Sequence, residues 1–150
     1  MLIVLLAAHF LAALFWVGGM AFAYMILRPA AGALDGPARL TLWRNVFARF
    51  LPWVGVSIVV LLASGYTMMF ATYGGFRAPI YIHVMQGTGI LMMLIYLHLY
   101  FAPWRRFRTY VGAADWPNAG KQLAVIRMLV GINLVLGVIT VLAGSTGRFW

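Results

Sequence analysis

The sequence contains no cysteine and no glutamate, and Asp35 and Asp115 are its only carboxylate side chains. The first absence excludes disulfides, thiolate catalysis and cysteine-held metal or iron–sulfur centres. The second excludes a paired-carboxylate active site, a carboxylate cage for Ca²⁺ or Mg²⁺, and an acidic proton relay. Charge of any kind is scarce, at 9% of the 150 residues, against about 25% in a soluble domain. What fills the gap is apolar. Hydrophobic residues reach 65%, well above the usual ~45–50%, and so few polar groups cannot cover a water-soluble surface of this size. The composition therefore implies an integral membrane protein.

Four apolar stretches are long enough to cross a hydrocarbon core, which takes about 20 helical residues. They cover about residues 2–27, 50–72, 79–102 and 125–143 of one four-helix transmembrane domain spanning 1–150. The first stops at Arg28-Pro29, the second at Gly74-Gly75, the third at Pro103 and the Arg105-Arg106 pair, and the fourth at Gly144-Ser145. Arg127 snorkels at the base of the fourth. The runs are continuous, not alternating, which selects helices over barrel strands. Ala21-Phe22-Ala23 has the form of a signal-peptidase site, but no positive charge precedes the run and it exceeds a signal core, so it reads as a true span.

Basic residues set the expected orientation. The connections between spans one and two and between spans three and four share one face and hold nine of them, against Arg77 and Arg148 on the other. By the positive-inside rule this places both termini outside the cytoplasm, in a bacterial-type inner membrane. It also accounts for the net charge of +9 without nucleic acid. In residues 40–51, Leu40, Trp43, Val46, Phe47 and Phe50 recur at helical spacing, which predicts a short interfacial helix before span two. Asp115-Trp116-Pro117 predicts a helix start leading into span four. Trp43, Trp53, Trp104 and Tyr110 read as one aromatic belt, and Tyr66, Tyr73, Phe76 and Tyr81 as the other. Glycines in every span allow close helix approach. The fold class is an all-α four-transmembrane-helix bundle with short interfacial helices in the cytoplasmic connections.

With carboxylates and thiols gone, His9, His83 and His98 are the groups that can carry chemistry, and ionisable groups in a span are functional candidates by default. His9 lies roughly 10 Å below the outer end of span one and His83 roughly 6 Å below that of span three. Two imidazoles at one level suit six-coordinate haem iron, whereas zinc finds no further ligand there. Gly87, Ile90 and Leu94 share the His83 face, and Arg77 just outside could pair a haem propionate. His98 lies about 22 Å deeper than His83. It could ligate a second haem, hold a quinone headgroup or relay protons. A neutral histidine satisfied by a neighbouring helix is the bland alternative for each. Imidazole with methionine is also a soft set suited to Cu(I), but the nine methionines form no ladder along one face, and most read as core or lipid-facing filler.

The chain resembles the copper-resistance protein D (CopD-type) membrane superfamily, which includes the HemJ-type four-helix haem proteins. The resemblance rests on His9-Phe10-Leu11-Ala12, Trp16-Val17-Gly18-Gly19 and Arg28-Pro29 in span one, on Arg49-Phe50-Leu51 leading to Ser64-Gly65 in span two, and on the positions of His83 and His98. Met85 stands where HemJ-type proteins carry a lysine, and Gly131-Ile132-Asn133 replaces their acidic stretch. The resemblance therefore implies haem ligation and not protoporphyrinogen oxidation. Three functions follow as expectations. The first is a b-type haem protein, with one haem or two, in electron transfer or an oxidoreductase reaction with a quinone or redox-protein partner. Its cofactor site would comprise His9, His83, His98 and Arg77, with His9 and His83 on the metal. The second is a copper-handling transport protein. The third is a structural or assembly subunit. The bilayer is a partner in all three, and a second copy of the chain is compatible with each.

Overall fold

The structure, a computed structural model, describes residues 1–149. Helix α1 (Leu2–Phe22) continues through a π-turn at Ala23–Leu27 into the one-turn α2 (Arg28–Ala30) and a 3₁₀ turn, Ala31–Ala33. Helix α3 (Gly36–Thr72) is followed by a 3₁₀ turn at Gly75–Arg77, then α4 (Ile80–Phe101), α5 (Pro103–Gly112), α6 (Trp116–Thr146) and a last 3₁₀ turn, Gly147–Phe149. There is no strand among the described residues. Four helical segments are long and apolar enough to cross a membrane: Leu2–Ala33, Gly36–Thr72, Ile80–Gly112 and Trp116–Phe149. The chain is a multi-pass membrane protein, and exposed side chains such as Ile3, Leu14, Val59 and Val135 form its lipid-facing surface.

The helix ends follow from local chemistry. Gly74 adopts a left-handed conformation that stops α3. Pro79 precedes α4, and Pro103 sits in the first turn of α5, where its missing N–H costs nothing. Asp115 caps α6 as its sequence promises, accepting from the Asn118 backbone N–H and from Asn118 Nδ2.

Span two departs from expectation. No separate interfacial helix covers 40–51; α3 runs unbroken for 37 residues with Pro52 inside it. The reason lies in its buried stripe. Leu40, Trp43, Phe47, Leu51 and Val54 continue at three- and four-residue spacing across the proline, so one face stays on the core throughout. That face meets α5. Phe47 stacks on Trp43 at 5.2 Å and meets Trp104 and Phe107 edge-on at 6.1 and 6.3 Å. Trp43 and Trp104 are thus core residues, each 4% exposed, whereas Trp53 is 62% exposed, as a belt residue should be.

In the bundle, α1 packs along α3 and α4 along α6; α6 also borders α1 and α3, while α1 and α4 share no extended contact. Small residues set the closest approach. A Cβ on Gly137 of α6 would lie 2.9 Å from Val17 Cγ2 of α1, so the α1–α6 seam requires glycine there. Hydrogen bonds tie the remaining seams. Tyr96 donates from its hydroxyl to the Leu51 carbonyl at 2.9 Å, Asn133 Nδ2 donates to the Met92 carbonyl at 3.1 Å, and Thr140 donates to Thr88 at 2.6 Å.

Candidate metal-binding site on the first span

His9 lies on the face of α1 that buries Ala12, Trp16 and Met20, and it is directed at α3. Its Nδ1 is 2.9 Å from Ser64 Oγ. The Ser64 hydroxyl already donates to the Val60 carbonyl one turn back, at 2.6 Å, as helical serines commonly do. A hydroxyl has one proton to give. Ser64 Oγ must therefore accept, and the proton of the bond belongs to His9 Nδ1. In the neutral ring this leaves the lone pair on Nε2, the form in which histidine ligates metals. Ser64 is 2% exposed. Its neighbour completes the seat, because a Cβ on Gly65 would come within 3.1 Å of His9 Cε1.

Methionine lies close by. Met68 is one turn from Ser64 on nearly the same face of α3, and both Met68 and Met69 are buried. Thioether and imidazole are soft and borderline donors, the pairing that Cu(I) prefers. No group of three or more histidines and carboxylates that could hold a metal ion gathers among the described residues.

The other two histidines lie elsewhere. The buried face of α4 carries Met92, Tyr96 and Leu99, and His83 is nine residues before Met92, about 180° round the helix. His83 is half-buried, and its stripe-mates Ile90 and Leu94 are 41% and 58% exposed, so this face turns toward the outside of the bundle. His9 and His83 therefore stand on helices that share no extended seam, and on faces that do not oppose each other. A haem sandwiched between them does not fit the single chain. His98, in the last turn of α4, is exposed. Arg77 is exposed in the 3₁₀ turn between α3 and α4, and Arg148 is drawn over Phe149 at 4.6 Å.

Ser64 and Asn133 have roles that the sequence alone does not disclose. Ser64 is the partner of His9. Asn133 is a fully buried amide whose Oδ1 has no hydrogen-bond partner among the described residues. A lone serine or asparagine in an apolar run is the available signal, since each needs a partner in hydrocarbon.

Fold and site together define a four-span membrane protein with one oriented, part-buried imidazole between its first and second spans. The family model described as Copper resistance protein D matches residues 44–146, and the chain belongs to that family. Neither a curated protein nor a solved structure matches it. The matched region includes Ser64, Met68, His83 and His98, while His9 lies before it.

Proposed function

We propose that the protein handles copper within the membrane, with His9 Nε2 as the metal-binding atom and Met68, one helical turn from Ser64, as a soft donor. The hydrogen-bonded state of His9 is the observation that carries this reading. With Ser64 Oγ donating to the Val60 carbonyl, the His9–Ser64 bond takes its proton from Nδ1, and a neutral ring then carries its lone pair on Nε2. Family membership agrees with copper as the cargo. In this reading Ser64 orients the ring, Gly65 provides the room for it, and the apolar faces of α1 and α3 keep water from the ion. With the basic connections on the cytoplasmic side, as the positive-inside rule expects, His9 belongs to the outer half of the bundle in this reading. Anaerobic titration of Cu(I) against a chromophoric chelator tests the proposal. One tightly held Cu(I) per chain, lost in His9→Ala, is the expected result. A colourless protein that takes up no copper overturns it.

A second reading, a b-type haem protein in electron transfer with a quinone or redox-protein partner, draws on the same imidazole. An Nδ1-bonded, Nε2-free histidine is also the form that binds haem iron, and the first span resembles that of HemJ-type proteins. Under this reading His9 is an axial ligand to the iron, and haem supplies one-electron chemistry. A visible spectrum of the purified protein separates the two. Sharp haem bands that vanish in His9→Ala select the second.

A further inference from the structure

A cleft of about 900 Å³ lies far from His9, where the turns that follow α1, the start of α3 and the start of α6 meet on the basic face. Arg28, Arg39 and Arg127 line it, together with Tyr24, Trp43 and Trp116. A narrow cavity of about 20 Å³ adjoins it and shares Tyr24, Arg28, Trp43 and Arg127. None of the three guanidinium groups has a carboxylate partner among the described residues. Asp115, at the neighbouring helix start, is engaged by Asn118. Three cations around one concavity repel one another, and low-dielectric walls strengthen the field they focus on an anion.

The cleft is shaped by identifiable local features. The π-turn at Ala23–Leu27 resets the helical phase just where Tyr24 enters the wall, and such turns recur at functional sites. Tyr24 in turn holds the Arg28 guanidinium over its ring at 5.0 Å, which orients the fork. Trp116 and Trp43 supply flat apolar walls. Gly120 lies on the floor, and a Cβ built there meets nothing within 4 Å. This is room for a ligand beside a helix that could carry any side chain.

We propose that this cleft binds the phosphodiester headgroup of an anionic phospholipid from the surrounding bilayer. The planar guanidinium matches phosphate oxygens in pairs, and basic pockets between transmembrane helices at the cytoplasmic level suit acidic lipid headgroups. The cleft opens at the depth where headgroups lie, because it sits at the ends of membrane-spanning helices. Its volume is within the range of about 300–1,000 Å³ common to ligand sites. The proposal is independent of what His9 holds.

The test uses the full chain in a neutral detergent, with thermal unfolding followed as lipid is added. Phosphatidylglycerol, phosphatidylcholine of the same acyl chains, and inorganic phosphate form the three arms. A saturable rise with phosphatidylglycerol alone, near one lipid per chain, is expected. Arg39→Gln should weaken it about fivefold or more, in line with the attraction of one arginine to an acidic headgroup. Gly120→Leu keeps every charge but fills the floor, and should weaken it as much. Arg105→Gln with Arg106→Gln, on the same face but outside the cleft, should leave it unchanged. Equal weakening by that control pair would show general charge attraction and overturn the site. So would a response to phosphatidylcholine, no response to any lipid, or a response to inorganic phosphate as strong as that to phosphatidylglycerol.

Discussion

The hydroxyl of Ser64 receives the Nδ1 proton of His9 at 2.9 Å while giving its own to the Val60 carbonyl at 2.6 Å. This two-step relay joins the first span to the second and orients the His9 ring. Ser64→Ala removes the acceptor but leaves the helix intact. Outer partners of ligating histidines are typically worth 10–100-fold in metal affinity. Copper affinity in Ser64→Ala should fall by about that factor, while the thermal midpoint shifts little, since interhelical hydrogen bonds in membranes average about 0.6 kcal/mol. Competition titration beside a melt reads both. An unchanged affinity would show that Ser64 does not position the ring.

The three histidines should behave unequally. His9 faces the interior, His83 stands about half a turn away from the buried Met92 stripe, and His98 is exposed. His9→Ala should abolish metal binding. His83→Ala and His98→Ala should leave it within about twofold, because a group on the lipid side of α4 makes no first contact with an ion on the α1–α3 seam. Loss of binding in His83→Ala would restore the paired-imidazole arrangement and require α4 to turn on its axis.

The contrast between His9 and His83 shows where the sequence stops being legible. Span number, order and approximate limits follow from apolar run length alone, and the Asp115 start of α6 from its capping chemistry. Helical spacing tells which residues share a face with His83, but not which face meets a neighbour, because α4 is apolar nearly all round. Trp43 and Trp104 pose the same problem. An aromatic near a membrane boundary suits a lipid belt and a packed core equally, and only the partner Phe47 decides between them. The continuity of α3 through Pro52 was likewise hidden. A proline in sequence signals a break, whereas tertiary burial of the stripe on both sides of it preserves the helix.

Tyr96 anchors α4 to α3 through its bond to the Leu51 carbonyl, the residue just before Pro52. Tyr96→Phe keeps the ring, including its edge contact with Trp16 at 6.4 Å, and removes only the hydroxyl. The expected cost is on the order of 0.5–1.5 kcal/mol, seen as a modest drop in the thermal midpoint with the helical signal preserved. A loss several times larger would mean that the bond holds the proline-containing segment of α3 in place, beyond merely decorating it.

Two glycines in neighbouring helices should respond to the same substitution with opposite signs. Alanine is the better helix former by about 0.5–1 kcal/mol wherever its methyl group has space. At Gly18 a Cβ meets only Leu14 Cδ1, at an ordinary 3.9 Å, so Gly18→Ala should leave stability unchanged or raise it. At Gly137 the methyl would stand 2.9 Å from Val17 Cγ2 and 3.3 Å from Met92 Cε. Met92 can bend, but valine has little rotamer freedom in a helix. The α1–α6 seam must then open, at the roughly 1–3 kcal/mol typical of overpacking. Gly137→Ala should melt earlier than the parent protein and Gly18→Ala should not; equal behaviour would mean that α1 and α6 pack less closely than the described seam.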